Sequence, residues 1–149
     1  MDMWGLLTLI VMGFTACAEL GSYTFVHPVI RRLPSQCHLT LEQGLLRTSG
    51  RVMPPLMTLS MATTIGYAFS GGLEGGPASW RSGAAAALTV SLLVTIPVNV
   101  GINHAAGRWD PASPASEWKG SQDRWERFRG VRCWLLLIGF LLLCEGFAT

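Results

Sequence analysis

The chain has 149 residues, half of them hydrophobic and only 13% charged, with a formal net charge of +2. Soluble domains carry roughly 25% charged residues, because a small body must cover a large surface, so this deficit excludes an ordinary water-soluble domain and points to lipid as the solvent. So small a net charge offers nothing to nucleic acid, and Cys17, Cys37, Cys133 and Cys144 lack the close spacing of a zinc site or a redox dithiol.

A helix crossing about 30 Å of hydrocarbon needs about 20 residues, and four apolar runs of that order follow one another along the chain. The first, 4–30, starts without a basic leader and runs on too long for a cleaved signal peptide. A polar loop, 31–51, separates it from the second run, 52–70, where Met53, Met57 and Met61 recur every four residues as packing side chains. A short glycine-rich turn around Gly71, Gly72, Gly75 and Gly76 leads to the third run, 82–104, and a polar loop, 105–130, leads to the fourth, 131–148. The second and third runs contain no charged residue at all, which argues against the one-sided charge of a soluble amphipathic helix. They are also too long for the ~10-residue alternating strands of a membrane barrel.

Orientation follows from the basic residues. The first loop holds Arg31, Arg32, Arg47 and Arg51, the third holds Arg108, Lys119, Arg124, Arg127, Arg129 and Arg132, and the second holds only Arg81. Positive charge stays on the cytoplasmic side, so loops one and three are inside and both termini outside. The expectation is a single all-α domain over 1–149, a four-helix transmembrane bundle in the plasma membrane. Four spans enclose little volume by themselves, so a homo-oligomer is also expected.

An ionised group at mid-bilayer costs on the order of 2.5–3.5 kcal/mol, so each polar residue inside a span needs a partner or a purpose. Glu19 and His27 lie on nearly one face of the first span, eight residues apart. Asn99 and Asn103 share a face of the third span just after Pro97, which removes a backbone hydrogen bond and frees carbonyls within the helix. His27, Arg31, Asn99, Asn103, Arg129 and Arg132 all fall near the cytoplasmic ends of their spans and can meet there. For Glu19 the purely structural alternative is an interhelical hydrogen bond to Thr58, Ser60, Thr63, Thr64 or Tyr67 of the second span. The three histidines, His27, His38 and His104, show no metal-binding spacing such as HxxxH.

The third and fourth spans also carry a resemblance. The segment Leu93-Val94-Thr95-Ile96-Pro97-Val98-Asn99, followed by Trp125-Glu126-Arg127-Phe128-Arg129-Gly130-Val131-Arg132, resembles the anthrone oxygenase-like family of small four-helix membrane proteins. That family typically shows N-x-P-x-N in its third helix and W-x-x-x-N-x-x-R at the start of its fourth. Pro97, Asn99, Trp125 and Arg132 match, as does the close of the first helix in His27-Pro28-Val29-Ile30-Arg31-Arg32, whereas Thr95 and Arg129 replace the usual asparagines.

The resemblance implies a monooxygenase that converts an anthrone, or a similar aromatic polyketide, to a quinone with O₂ and no organic cofactor. Such a protein need only deprotonate the substrate, orient it and stabilise an oxyanion. On that reading His27 or Glu19 is the base, Asn99 and Asn103 are hydrogen-bond donors, Arg132 stabilises the anion, and Trp125, Arg129, Tyr67 and Arg31 contact the substrate. Two readings stand beside it. One is an iron-, copper- or haem-dependent membrane enzyme with His27, His104 and Glu19 as ligands. The other is a non-catalytic transport or structural subunit, in which Arg132 snorkels to phosphate and Trp125 anchors at the interface.

Overall fold

A computed structural model describes residues 3–70, 77–112, 116 and 118–148, and every regular element among them is helical. The elements are α1 (Met3–Gly21), a single π-helical stretch (Ser22–Val26), α2 (His27–Ile30), α3 (Ser35–Ser70), α4 (Pro77–Ala106) and α5 (Trp118–Ala148). Of the glycine-rich turn expected at 71–81, residues 71–76 lie outside the described residues and 77–81 are already helix, the first turn of α4; residues 113–115 and 117 of the third polar segment also lie outside the described residues.

The π-helical stretch has a local cause. Pro28 has no N–H to give, and its ring would press on the carbonyl of Thr24 if the α-helix ran straight through. Widening the preceding turn relieves that conflict, and the backbone N–H of His27 bonds to the carbonyl of Ser22. α1, the π stretch and α2 thus form one continuous rod ending at Arg31. Leu33-Pro34 turns the chain, and α3 starts at once.

Here the structure differs from the sequence expectation. The stretch 31–51, expected as a loop, is helical from Ser35 onward and continues without a break through Pro54 and Pro55 into the apolar half of α3. The polar half is held against the end of α4. Gln43 donates from its Nε2 to the carbonyl of Ala106 (3.0 Å), which the N–H of Trp109 also reaches at 3.4 Å, and to the carbonyl of Trp109 (2.8 Å) just past the end of α4. The junction of the third polar segment with the fourth apolar run is likewise one helix: α5 begins at Trp118, well before the apolar run.

α1 packs on α3 and α5, α4 packs on α3 and α5, and the α4–α5 contact is the most extensive. The apolar core joins Met12 and Ala16 of α1, Met57 of α3, Leu88 and Leu92 of α4, and Leu136 and Leu143 of α5. Hydroxyls bridge α1 to α3 alongside it. Thr15 and Ser60 share a 2.7 Å hydrogen bond, and Thr8 reaches the carbonyl of Thr63 at 3.3 Å. The hydroxyl of Ser60, one of those the structural alternative offered to Glu19, is thus taken by Thr15, and Glu19 pairs with Arg132 of α5 instead.

Among the described residues two helical segments, Met3–Ile30 and Trp118–Ala148, are long and apolar enough to cross a membrane. The apolar half of α3 is diluted by two prolines and a series of Ser and Thr side chains. The surface is apolar on every long helix, however. Leu7, Ile10 and Phe14 on α1, Val52, Leu59 and Phe69 on α3, Val90, Leu93 and Val100 on α4, and Trp134, Ile138 and Leu141 on α5 are all exposed. The interior holds Thr8, Thr15, Glu19, His27, Ser60, Thr64, Ser91 and Arg129.

Candidate functional site

The helices enclose a cavity of about 470 Å³. Its wall is mostly apolar, formed by Met53, Met57 and Met61 of α3 and Leu92, Leu93 and Ile96 of α4, so the methionine stripe both packs the core and lines the chamber. Pro54 and Thr58 of α3 and Leu93, Ile96 and Val100 of α4 line the cavity and are also exposed, which puts its mouth between α3 and α4.

One face of α5 supplies the polar end. Gln122, Trp125, Arg129 and Arg132 follow one another at three- and four-residue spacing, so a helix projects all four to the same side, and all four line the cavity. Across from them stand Glu19, Ser22 and His27, which the π stretch presents together despite the interrupted α-helical register.

The contacts are dense. Arg132 donates from Nη2 to Glu19 Oε2 at 2.8 Å, and Arg129 Nε lies 3.7 Å from the same oxygen. Arg129 Nη2 donates to Ser22 Oγ at 2.7 Å, and its Nη1 bonds to His27 Nε2. The guanidinium of Arg129 sits 4.8 Å above the ring of Trp125, and that ring packs against the His27 imidazole with centroids 5.1 Å apart. Two guanidiniums therefore share one carboxylate, and the group carries an excess positive charge beside a largely apolar chamber. His27 Nδ1 is buried without a hydrogen-bond partner, and so are the Nε atoms of Arg129 and Arg132. An arrangement of this kind can receive an anionic or strongly polarised oxygen.

The structure brings together Glu19, His27, Asn103, Trp125, Arg129 and Arg132 of the residues expected from sequence, all on one cavity. Asn99 belongs to α4, and its side chain lies outside the described residues. Arg31 is elsewhere: it pairs with Glu126 at 2.5 Å and approaches Asp123 at 4.0 Å, and it borders a separate recess of about 190 Å³ behind His27. Tyr67 is near the opposite end of α3, stacked on Phe147 with centroids 5.4 Å apart and covered by the guanidinium of Arg81 at 4.4 Å. His104 is exposed at the end of α4 and does not reach His27 and Glu19, and no metal-holding group of three His, Cys, Asp or Glu residues occurs among the described residues.

Ser22, Gln122 and Glu42 line the cavity without being singled out from the sequence, and Glu42 is the titratable one. Glu42, in the polar half of α3, is buried and lines the chamber. Gln122 Nε2 donates to its Oε1, and His38 Nε2, one turn earlier, lies 3.3 Å from the same oxygen. His38 is itself buried edge-on against Trp118 at 5.1 Å. Burial pushes the Glu42 carboxyl up to about 7; the Gln122 hydrogen bond and the Arg129 charge oppose the rise, and the Glu126 charge adds to it. Burial, and then the Arg31 charge, hold the His38 imidazole below its ordinary range, so it is neutral at pH 7. A sequence signal existed: His38 and Glu42 are one helical turn apart. It went unread because the segment was taken for a solvated loop.

A family model described as Anthrone oxygenase matches residues 44–142, which span most of α3, all of α4 and most of α5. No curated protein and no solved structure matches the chain at a significant level.

Proposed function

The chain belongs to the anthrone oxygenase family, and from that premise we propose that it is a membrane-embedded oxygenase converting an anthrone or a similar electron-rich aromatic to the quinone with O₂. One observation carries the reading: a mostly apolar chamber of about 470 Å³ that ends in the Glu19–Arg129–Arg132–His27 group. That volume lies within the roughly 300–1,000 Å³ usual for small-molecule sites. A flat polycyclic substrate is apolar on both faces and carries an oxygen at its edge, which suits such a chamber.

The reaction balances without an organic cofactor. The benzylic CH₂ loses two hydrogens, one atom of O₂ becomes the new carbonyl oxygen, and the other leaves as water with those hydrogens. Removal of the first proton leaves an electron-rich anion whose charge lies largely on the existing carbonyl oxygen, and that anion passes electrons to O₂. Arg129 and Arg132 stabilise the oxygen, Asn103 donates a hydrogen bond near it, and Trp125 forms an aromatic wall. Glu19 and His27 are already engaged by the two arginines, and at this end they hold the guanidiniums in place.

The fold reading is a four-helix transmembrane bundle with both termini outside, in the plasma membrane. The apolar exterior of all four long helices and the polar interior support it, because lipid rather than water is the solvent such a surface suits. An apolar substrate would then enter from the bilayer through the mouth between α3 and α4.

The test is O₂ uptake by the detergent-purified protein with an anthrone, followed by quinone absorbance, alongside metal analysis and a visible spectrum. Quinone formation that falls about 100-fold or more in Arg132→Gln supports the reading. No anthrone-dependent uptake, or a stoichiometric metal or haem that activity requires, overturns it.

A further inference from the structure

The family match begins at residue 44, so it does not reach Glu42, and the residues assigned above leave the substrate's proton without an acceptor. Glu19 gives its carboxylate to Arg132 and Arg129, and His27 gives the lone pair of Nε2 to Arg129. Both are thereby poor bases. We propose that Glu42 is the general base of the reaction, taking the benzylic proton at the cavity edge opposite the arginine pair, with Gln122 as its positioning residue. The proposal rests on the oxygenase reading of the site.

The geometry of the substrate and of α5 point the same way. In an anthrone the carbonyl and the reactive CH₂ stand on opposite edges of the central ring, so a base beside the carbonyl oxygen cannot also reach the C–H. Gln122, which holds Glu42, is seven residues from Arg129 on the same face of α5, two turns or about 10 Å along the axis. A ring system with its oxygen at Arg129 and Arg132 therefore presents its far edge toward Gln122 and Glu42. The step breaks the C–H bond, leaves the electron pair on the substrate anion, and puts the proton on Glu42. After the anion adds O₂, Glu42 returns that proton to the peroxide oxygen, and loss of water gives the ketone. No other oxidant is required.

Charged and titratable groups around Glu42 come from several elements. His38 is on its own helix, Glu126 and Arg129 are on α5, and His27 lines the same cavity from α2, while α4 contributes the neutral Asn103. Burial raises the carboxyl to about 7, which lets it both take and return a proton near neutral pH.

Two readouts on the full-length protein separate this inference from the oxygenase reading. The first is anaerobic exchange of deuterium from the CH₂ of an anthrone, which needs a base and no O₂; the second is O₂ uptake across pH. Wild-type protein is expected to accelerate exchange and to lose activity as pH falls through about 7. Glu42→Gln should slow both processes about 10²- to 10⁴-fold while anthrone still quenches tryptophan fluorescence, and Glu42→Asp should recover part of the rate. Gln122→Leu removes a bond that favours the carboxylate, so the acid limb should move up by about one pH unit. That profile also decides the matter if Glu42→Gln fails to fold. Wild-type O₂ uptake that survives in Glu42→Gln overturns Glu42 and leaves the oxygenase standing. Exchange that depends on Glu42 without any O₂ uptake keeps the base and overturns the oxygenase. A protein that does neither overturns both.

Discussion

Glu19 is the carboxylate that faces both Arg129 and Arg132 at the buried end of the chamber. Glu19→Gln therefore leaves two guanidiniums facing each other with only a neutral amide between them. Breaking a buried ion pair from one side costs about 3–5 kcal/mol, and a lowered melting temperature in detergent is the expected outcome. Loss of stability in Arg132→Gln should be smaller, because Arg129 still faces the carboxylate. Equal stability of Glu19→Gln and wild type would show that the pair is solvated. Glu19 and His27 were legible in the sequence, since a polar side chain inside an apolar run is costly enough to announce itself, and Arg129 and Arg132 were legible at the edge of the fourth run, where the family resemblance falls. Glu42 was not, because a carboxylate in a polar stretch looks solvated until the tertiary structure buries it. Tyr67 and Arg31 were assigned to the substrate from residue type and depth, and neither property specifies which neighbouring helix a side chain meets.

At the scale of the elements, Pro28 and the π stretch before it set how the first rod presents Ser22 and His27 to α5, and Pro54 and Pro97 line the cavity without ending their helices. The α1–α5 contact is close. A Cβ built on Gly13 would stand 2.8 Å from the ring of Phe140, whereas one on Gly21 would meet nothing. Gly13→Val should thus lose about 1–3 kcal/mol through overpacking, read as a lower unfolding temperature. Gly21→Ala is the control, and a Gly13 variant no less stable than it would mean that α1 can shift away from α5 at little cost. The helical character of 35–51 escaped sequence reading because its basic and polar residues show no apolar face of their own. Contact with the end of α4 through Gln43, and with α5 through Glu42 and Gln122, stabilises it as helix.

For the whole molecule, the proposed topology puts the turn after α2 and the polar half of α3 in the cytoplasm. Cys37 is exposed there, while Cys17 is exposed on the apolar part of α1 and should not meet an aqueous reagent. In a Cys144→Ser variant, which removes the partly exposed thiol near the outer end of α5, a membrane-impermeant maleimide is therefore expected to label Cys37 only after cells are permeabilised; labelling of intact cells would invert the orientation. Composition and the lengths of the apolar runs by themselves determined that the chain is helical and suited to lipid, because the cost of charge in hydrocarbon depends on sequence alone. The residues at the charged end of the chamber showed in the sequence too, Glu19 and His27 as exceptions to that rule and Arg129 and Arg132 at the start of the fourth run. Only the tertiary structure decided who partners whom: that Glu19 meets α5 rather than the hydroxyls of α3, that Arg31 and Tyr67 stand apart from the chamber, and that Glu42 faces into it. Those outcomes depend on the rotation of each helix against its neighbours, and that rotation comes from side-chain packing and from the π stretch rather than from local pattern.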